Sequence, residues 1–208
     1  AYLDALDFQP SRMTNIQAFF QRAMPAESGY DELKKQLYAR IQKDANNVLY
    51  PEMLIWVFTQ EGDYSSALRQ AKALDKRMNE SGARVFRLAQ TALEEQQYAA
   101  AVEGYEYIAN EKGIESAYYI ESREKILYAR RQLLLQSAQY TKADLQNLEK
   151  EYEQFLEEFG RRRSTAAVMQ ELADFEARYL YNLQKAIAIL TEVVNLPQLP
   201  RDEKDQAK

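Results

Sequence analysis

The chain has 208 residues, and its 27 Lys and Arg against 32 Asp and Glu give a formal net charge of −5, so it lacks the clustered positive charge by which general nucleic-acid binders neutralise phosphates. It contains no Cys and no His, which excludes disulfides, thiolate nucleophiles, Ser-His-Asp triads and imidazole metal ligands. Its 6 Gly and 5 Pro are too few to supply the turns of an all-β fold, which recur about every 8–12 residues, so the sequence predicts an all-α protein without a cofactor or a metal site.

The first predicted helix pair occupies residues 11–47. Its two helices are predicted over residues 11–24 and 30–43, and residues 1–10 are interpreted as the end of a preceding element. This pair matches the pattern of the following ones only in its second helix.

A 34-residue period marks the next part of the chain. Before the second and third repeats of the period, amphipathic segments follow the spacing of a helix face. The sequence therefore predicts helix pairs over residues 48–81 and 82–115. Three tyrosines recur at this spacing, and each is followed three residues later by a small or apolar residue: Tyr30 by Leu33, Tyr64 by Ala67, and Tyr98 by Ala101.

The unit of helix, short turn and helix at this period resembles the tetratricopeptide repeat (TPR). That family places a small residue early in the second helix and an aromatic residue just ahead of it, here Ala67 after Tyr64 and Ala101 after Tyr98. The family's Trp in the first helix is absent at the matching positions. The resemblance implies an all-α fold, an α-α superhelix of about five antiparallel helix pairs, forming one helical-repeat domain over residues 1–208.

The fourth predicted pair, residues 116–160, is longer than its neighbours. The turn expected near residue 132 comes at residues 139–141 instead, eight residues late. Thr141 and Asp144 have the spacing of a capping box, and Gly160 suits the end of the second helix. We expect this pair to project as a hairpin, whose tip is either a docking knob for further repeats or a partner, or a neutral insertion.

The fifth pair is predicted over residues 164–200. Its second helix resembles those of the earlier repeats, with Ala186 in the small position and Leu183 in the aromatic one. Pro197 and Pro200 are expected to end this helix, and residues 201–208 to begin a further one. The chain is therefore interpreted as a segment of a larger, bacterial TPR protein.

Charged segments have a functional and an ordinary structural interpretation. The basic run within residues 161–165 could hold a phosphate or an acidic partner at a helix start, or it could be a solvated loop in which Ser164 or Thr165 caps the next helix. The acidic clusters lack the alternating Asp and Asn and the central Gly of a calcium loop. We interpret them as solvated helix surface.

The resemblance places a candidate partner site on the first helix of each pair, because first helices line the concave groove of TPR proteins. The groove positions carry apolar, acidic and amide side chains, not the Lys and Asn of TPR modules that clamp a peptide carboxylate. An apolar or mildly basic polypeptide would suit this surface, unless its aromatic residues pack on neighbouring helices or further repeats. The candidate residues are Glu52, Trp56, Gln60, Phe86, Gln90, Leu93, Ile120, Glu124 and Tyr128.

The resemblance implies a non-enzymatic scaffold that binds a protein or peptide along this groove and contacts further TPR repeats of the full-length chain. The alternative is a helical carbohydrate-binding module of a nutrient-uptake system, in which Tyr and Trp would stack on sugars. Nucleic acid is not an expected partner, and no apolar run nears the roughly 20 residues of a membrane-spanning helix. We expect a soluble protein, compatible with either the bacterial cytoplasm or the periplasm because it has no Cys.

Overall fold

The computed structural model describes residues 3–4, 9–23, 30–137 and 139–197. Regular structure within these ranges is entirely helical, which confirms the predicted all-α class. The α-helices are α1 (Met13–Ala23), α2 (Asp31–Lys43), α3 (Leu49–Gln60), α4 (Tyr64–Met78), α5 (Ala83–Glu94), α6 (Tyr98–Tyr107), α7 (Tyr119–Gln136), α8 (Lys142–Phe159), α9 (Ala166–Arg178) and α10 (Leu183–Asn195). Short 3₁₀-helical turns at Pro10–Arg12, Gly113–Glu115 and Arg163–Thr165 and a π-helical turn at Ile108–Lys112 accompany them.

Each of the five predicted pair ranges contains two of these helices. Helices α7 and α8 have 18 residues each, whereas the others have 10 to 15, so the fourth pair is elongated as predicted. The most extensive backbone packing lies within α3/α4, α5/α6 and α9/α10. The predicted end of the first helix at residue 24, the stop at Pro200 and the further helix over 201–208 lie outside the described residues. The superhelix stays a prediction.

Helix α7 begins three residues later than predicted. The Ser116 hydroxyl donates a hydrogen bond to the Ser81 carbonyl at 2.8 Å and accepts one from the Tyr118 N–H at 3.2 Å. The preceding Gly113–Glu115 segment is a 3₁₀ turn. Because the Ser116 side chain holds its own backbone in an extended conformation (ψ 130°), the α-helix begins only at Tyr119.

The chain divides into two compact units, Ala1–Ser122 and Arg123–Lys208, with the division inside α7. In the first unit, fully buried residues of α3 and α4 include Leu54, Val57 and Leu68. In the second unit, the core is built from α7, α8, α9 and α10, and its largest fully buried side chains include Tyr152 and Phe175. The prediction that one repeat domain spans both units stays a prediction.

Three helix pairs share the same turn geometry. The residue two positions before the second helix has a left-handed backbone: Gly62 with φ 72°, Gln96 with φ 58° and Tyr181 with φ 55°. Glycine adopts this conformation without steric strain, whereas Gln and Tyr do so at a cost. The shared conformation puts α4, α6 and α10 in one common register, as the sequence comparison predicted.

The next residue in this turn is the N-cap of the second helix, and its chemistry differs between the pairs. The Asp63 carboxylate accepts a hydrogen bond from the Ser66 N–H at 3.0 Å, and the Asn182 side chain accepts one from the Lys185 N–H at 3.3 Å. Gln97, with nearly the same backbone angles as Asp63, makes no side-chain cap hydrogen bond. The first turn of α6 therefore lacks a stabilising contact that α4 and α10 have.

We predict that Gln97→Asn raises the free energy of unfolding by about 1 kcal/mol, because Asn is among the best N-cap residues. Asp63→Ala should lower it by about the same amount, since it removes the existing cap. Urea denaturation followed by circular dichroism measures both changes. If Gln97→Asn leaves the midpoint unchanged while Asp63→Ala lowers it, the equivalence of the two turns is wrong.

Small residues allow the helices of the first unit to cross closely. The predicted small positions Ala67 and Ala101 are completely buried. A further one, Gly104 on α6, has no room for a side chain: a Cβ there would lie 2.6 Å from the Ala89 Cβ on α5 and 3.1 Å from the Leu68 Cδ2 on α4. Helices α4, α5 and α6 therefore meet at Gly104.

Candidate partner-binding surface

Helix α3 carries three of the predicted residues, and each is partly buried. The Trp56 ring meets Tyr30 in an edge-to-face contact, with ring centroids 5.8 Å apart and an interplanar angle of 87°. Tyr30 itself is buried, so it supports one edge of the indole. Gln60 lies one turn further along the same helix. Trp56 is therefore held by the fold and still offers part of its surface.

The Glu52 carboxylate at the start of α3 is occupied by an ion pair. Arg84 Nη1 lies 2.7 Å from Glu52 Oε1, and Arg84 Nη2 lies 2.8 Å from Glu80 Oε1. Burial acts against the charged guanidinium, but the hydrogen bonds to Glu80 and Glu52 outweigh it and raise the pKa of Arg84. Glu52 therefore serves to join α3 to α5, and its charge is less available to a basic partner.

Helix α5 contributes one buried and two accessible residues. The Phe86 ring is stacked on Tyr118 with centroids 4.7 Å apart and meets Tyr105 edge-on at 5.6 Å. Only 7% of Phe86 is exposed, so it offers little surface to a partner. Gln90 is exposed and Leu93 is partly buried. The accessible part of this helix face is therefore at Gln90 and Leu93.

Helix α7 carries the last three predicted residues, which are spaced one helical turn apart. Ile120 belongs to the first unit and is 47% exposed. Glu124 and Tyr128 belong to the second unit, where Glu124 is partly buried and Tyr128 is exposed. Each unit thus has an accessible stretch of this helix.

Tyr105 is a buried polar residue that the sequence comparison did not single out as part of the surface. Its ring is completely buried, and its hydroxyl has no hydrogen-bond partner among the described residues. Burial, with smaller contributions from the Glu121 and Glu94 carboxylates, raises the pKa of the Tyr105 hydroxyl. Tyr105 therefore acts as a neutral packing element beneath Phe86. This packing role of Tyr105 depends on its contact with Phe86 in the folded structure, which the sequence alone does not show.

The arginine run lies beside a cleft of about 620 Å³ in the second unit, lined also by Leu196 and Pro197. Arg161 forms ion pairs with Glu153 at 2.5 Å and with Glu192 at 3.1 Å. Thr165 occupies the N-cap position of α9, but its side chain makes no cap hydrogen bond. Its hydroxyl instead donates a hydrogen bond to the Gly160 carbonyl at 2.6 Å. Thr165 thus joins the two ends of the loop between α8 and α9.

The tip of the long pair is only partly apolar on its surface. Leu145 and Leu148 are buried in the core of the second unit, and Leu134 packs against that core. Leu133 is 41% exposed, and Tyr140 is exposed to the same extent. The docking-knob interpretation of this tip stays a prediction.

Among the residues that the structure describes, no group of three or more acidic side chains is placed to hold a metal ion. No helix in that part of the chain is both long and apolar enough to cross a bilayer.

In comparisons with known proteins, the chain matches no protein-family model and no curated protein.

Proposed function

We propose that the protein is a non-enzymatic TPR-like scaffold that binds a polypeptide partner along its first helices. The observation that supports this proposal is the accessible apolar surface on α3, α5 and the first turn of α7, all within the first unit. Trp56 on α3 and Leu93 on α5 are partly buried, and Ile120 on α7 is 47% exposed. Side chains that are fixed on one side and accessible on the other are suitable anchors for a peptide.

The surrounding chemistry favours a partner with apolar anchors and little charge. Glu52 is already paired with Arg84, while Gln60 and Gln90 supply amide groups that can donate and accept hydrogen bonds. Exposed Glu94 and Glu95 add carboxylates at the end of α5. An extended or helical segment with apolar side chains and an occasional basic residue would therefore suit this surface better than a strongly basic one.

The single tryptophan gives a direct test of this proposal. The chain contains one Trp and 15 Tyr, so fluorescence excited at the long-wavelength edge of the absorption band, where Tyr does not absorb, reports on position 56 alone. We expect peptides selected from a random display library against the full chain to shift the Trp56 emission on titration. Leu93→Asp and Ile120→Asp should each weaken the binding of such a peptide about tenfold or more, equal to about 1.4 kcal/mol.

Ile114→Asp is the matched control, because Ile114 is 80% exposed on the 3₁₀ turn and lies outside the proposed surface. Its peptide affinity should equal that of the unchanged protein. Equal affinity in all three variants would overturn the proposal. If no peptide binds while members of an oligosaccharide panel shift the Trp56 emission, the carbohydrate-binding alternative is favoured instead.

A further inference from the structure

The cleft of about 620 Å³ in the second unit lies where the loop between α8 and α9 meets the end of α10. Its lining consists of residues 161–164 of the loop and of Leu196 and Pro197, which follow α10. Volumes of about 300–1,000 Å³ are typical of sites for small molecules. Among the described residues, no acidic side chain lines the cleft, so its charged lining is entirely basic.

The backbone of this loop is held by Thr165. The Thr165 hydroxyl donates a hydrogen bond to the Gly160 carbonyl at 2.6 Å and accepts one from the Arg162 N–H at 3.1 Å. The Thr165 N–H in turn donates to the Arg162 carbonyl at 2.9 Å. The arginine side chains therefore extend from a backbone that is already ordered, so the binding of a ligand costs little backbone entropy.

Arg162 and Arg163 differ from the other arginines of the second unit, because they are exposed and pair with no carboxylate of the described residues. Residues 198–208, which follow the cleft in the sequence, carry three basic and three acidic side chains and therefore no net side-chain charge to compensate them. Two neighbouring guanidinium groups are thus able to bind an anion. The other arginines that the structure describes in this unit all form ion pairs: Arg123 with Glu158, Arg130 with Glu151, Arg131 and Arg178 with Asp174, and Arg161 with Glu153 and Glu192.

The rest of the lining is apolar. Leu196 is half-buried and packs against the core of the second unit, whereas Pro197 is exposed. An inorganic anion would contact the arginines and leave this apolar surface in water. A neutral apolar molecule would cover Leu196 and leave the guanidinium groups without a counter-charge. The lining is therefore complementary to a molecule that carries both an anionic and an apolar group.

We propose that this cleft binds a small amphiphilic anion, whose carboxylate or phosphate lies against Arg162 and Arg163 and whose apolar group lies against Leu196 and Pro197. A guanidinium group donates two parallel hydrogen bonds to either oxyanion, and this fork geometry makes arginine well suited to both. The site consists of residues of the second unit alone, so it is separate from the peptide surface proposed for the first unit.

Isothermal titration calorimetry of the full chain with three matched probes tests the proposal. Octanoate has both groups, acetate has the carboxylate without the chain, and 1-octanol has the chain without the charge. We expect octanoate, used below its micelle concentration, to bind saturably at one site and at least tenfold more tightly than either of the other two. Equal affinity for octanoate and acetate, or for octanoate and 1-octanol, would overturn the proposal, as would the absence of saturable octanoate binding.

Substitutions identify the site of octanoate binding. Arg162→Gln and Arg163→Gln should each weaken it at least fivefold. Arg87→Gln is the charge-matched control, because Arg87 on α5 is also exposed and has no ion pair among the described residues; it should leave the affinity unchanged. Octanoate binding that both loop variants leave intact, or that Arg87→Gln weakens equally, would overturn the proposal.

Leu196→Ser tests the apolar part of the site without changing the charge. It should weaken the binding of octanoate and leave that of acetate unchanged, with circular dichroism establishing that the variant is folded. Sedimentation with phosphatidylglycerol vesicles distinguishes a free amphiphile from a membrane lipid as the source of the ligand. Binding to these vesicles by a chain that does not bind monomeric octanoate would show a membrane-surface contact and overturn the proposal.

Discussion

Gly104→Ala is expected to lower the free energy of unfolding by about 1–2 kcal/mol, although the same change in an exposed helix would raise it by about 1 kcal/mol. The added Cβ would lie 2.6 Å from the Ala89 Cβ and 3.1 Å from the Leu68 Cδ2. Both neighbours sit on other helices, so the backbones must separate to relieve the overlap. Overpacking of this kind costs about 1–3 kcal/mol. An approach of 2.6 Å to a Cβ that cannot rotate away places Gly104→Ala in the upper part of that range, so the cost exceeds the gain in helix propensity.

Urea denaturation followed by circular dichroism measures this change. Ala99→Leu is the matched control, because Ala99 is exposed on the same helix and substitutions at such positions change stability by less than about 0.5 kcal/mol. Gly104→Leu should be more destabilising than Gly104→Ala, since more atoms must be accommodated. A stabilising effect of Gly104→Ala would show that α4, α5 and α6 do not meet at this residue.

Local sequence signals predicted the helix boundaries best where one residue makes the deciding contact. The Thr141 hydroxyl accepts from the Asp144 N–H at 3.2 Å, and the Asp144 carboxylate accepts from the Thr141 N–H at 2.8 Å, as the capping-box spacing indicated. Gly160 ends α8 with φ 82° and ψ 157°, a conformation that favours glycine. In contrast, the start of α7 depends in part on a bond from Ser116 to Ser81, 35 residues away, and no local pattern encodes that bond.

Periodicity predicted which helix face carries the candidate residues, but not which of them are accessible. Phe86 and Ile120 occupy equivalent positions 34 residues apart. Phe86 is buried because the ring of Tyr118 stacks on it, whereas Ile120 remains 47% exposed. The difference arises from the neighbours that three-dimensional packing brings to each position. A repeat period predicts which backbone positions are equivalent, but it does not predict which side chains pack against each of them.

Lys185 lies at the centre of a group of carboxylates in the second unit. Its Nζ lies 2.5 Å from Glu149 Oε1, 2.6 Å from Glu176 Oε1 and 2.9 Å from Glu153 Oε1. Burial opposes the ammonium, but hydrogen bonds to these carboxylates outweigh it and raise the pKa of Lys185. Glu176 is completely buried, and this burial raises the pKa of its carboxyl even though Lys185 acts to lower it.

We therefore predict that Lys185→Met lowers the free energy of unfolding at neutral pH by about 3 kcal/mol, because removing one partner of a buried ion pair leaves the other charge uncompensated. The loss should shrink as the pH falls. Without Lys185 the folded-state pKa of Glu176 rises further above the unfolded value, so the folded state binds a proton that the unfolded state does not, and stability increases on acidification towards the unfolded pKa.

The double variant Lys185→Met/Glu176→Gln separates this electrostatic cause from lost packing. Its glutamine carries no charge to leave uncompensated, so it should recover most of the stability at neutral pH and lose the extra pH dependence of the single variant. Urea denaturation at neutral and mildly acidic pH measures all three proteins. A single variant within about 0.5 kcal/mol of the unchanged protein at neutral pH, or one whose stability loss is the same at both pH values, would show that Lys185 does not compensate the buried charge of Glu176.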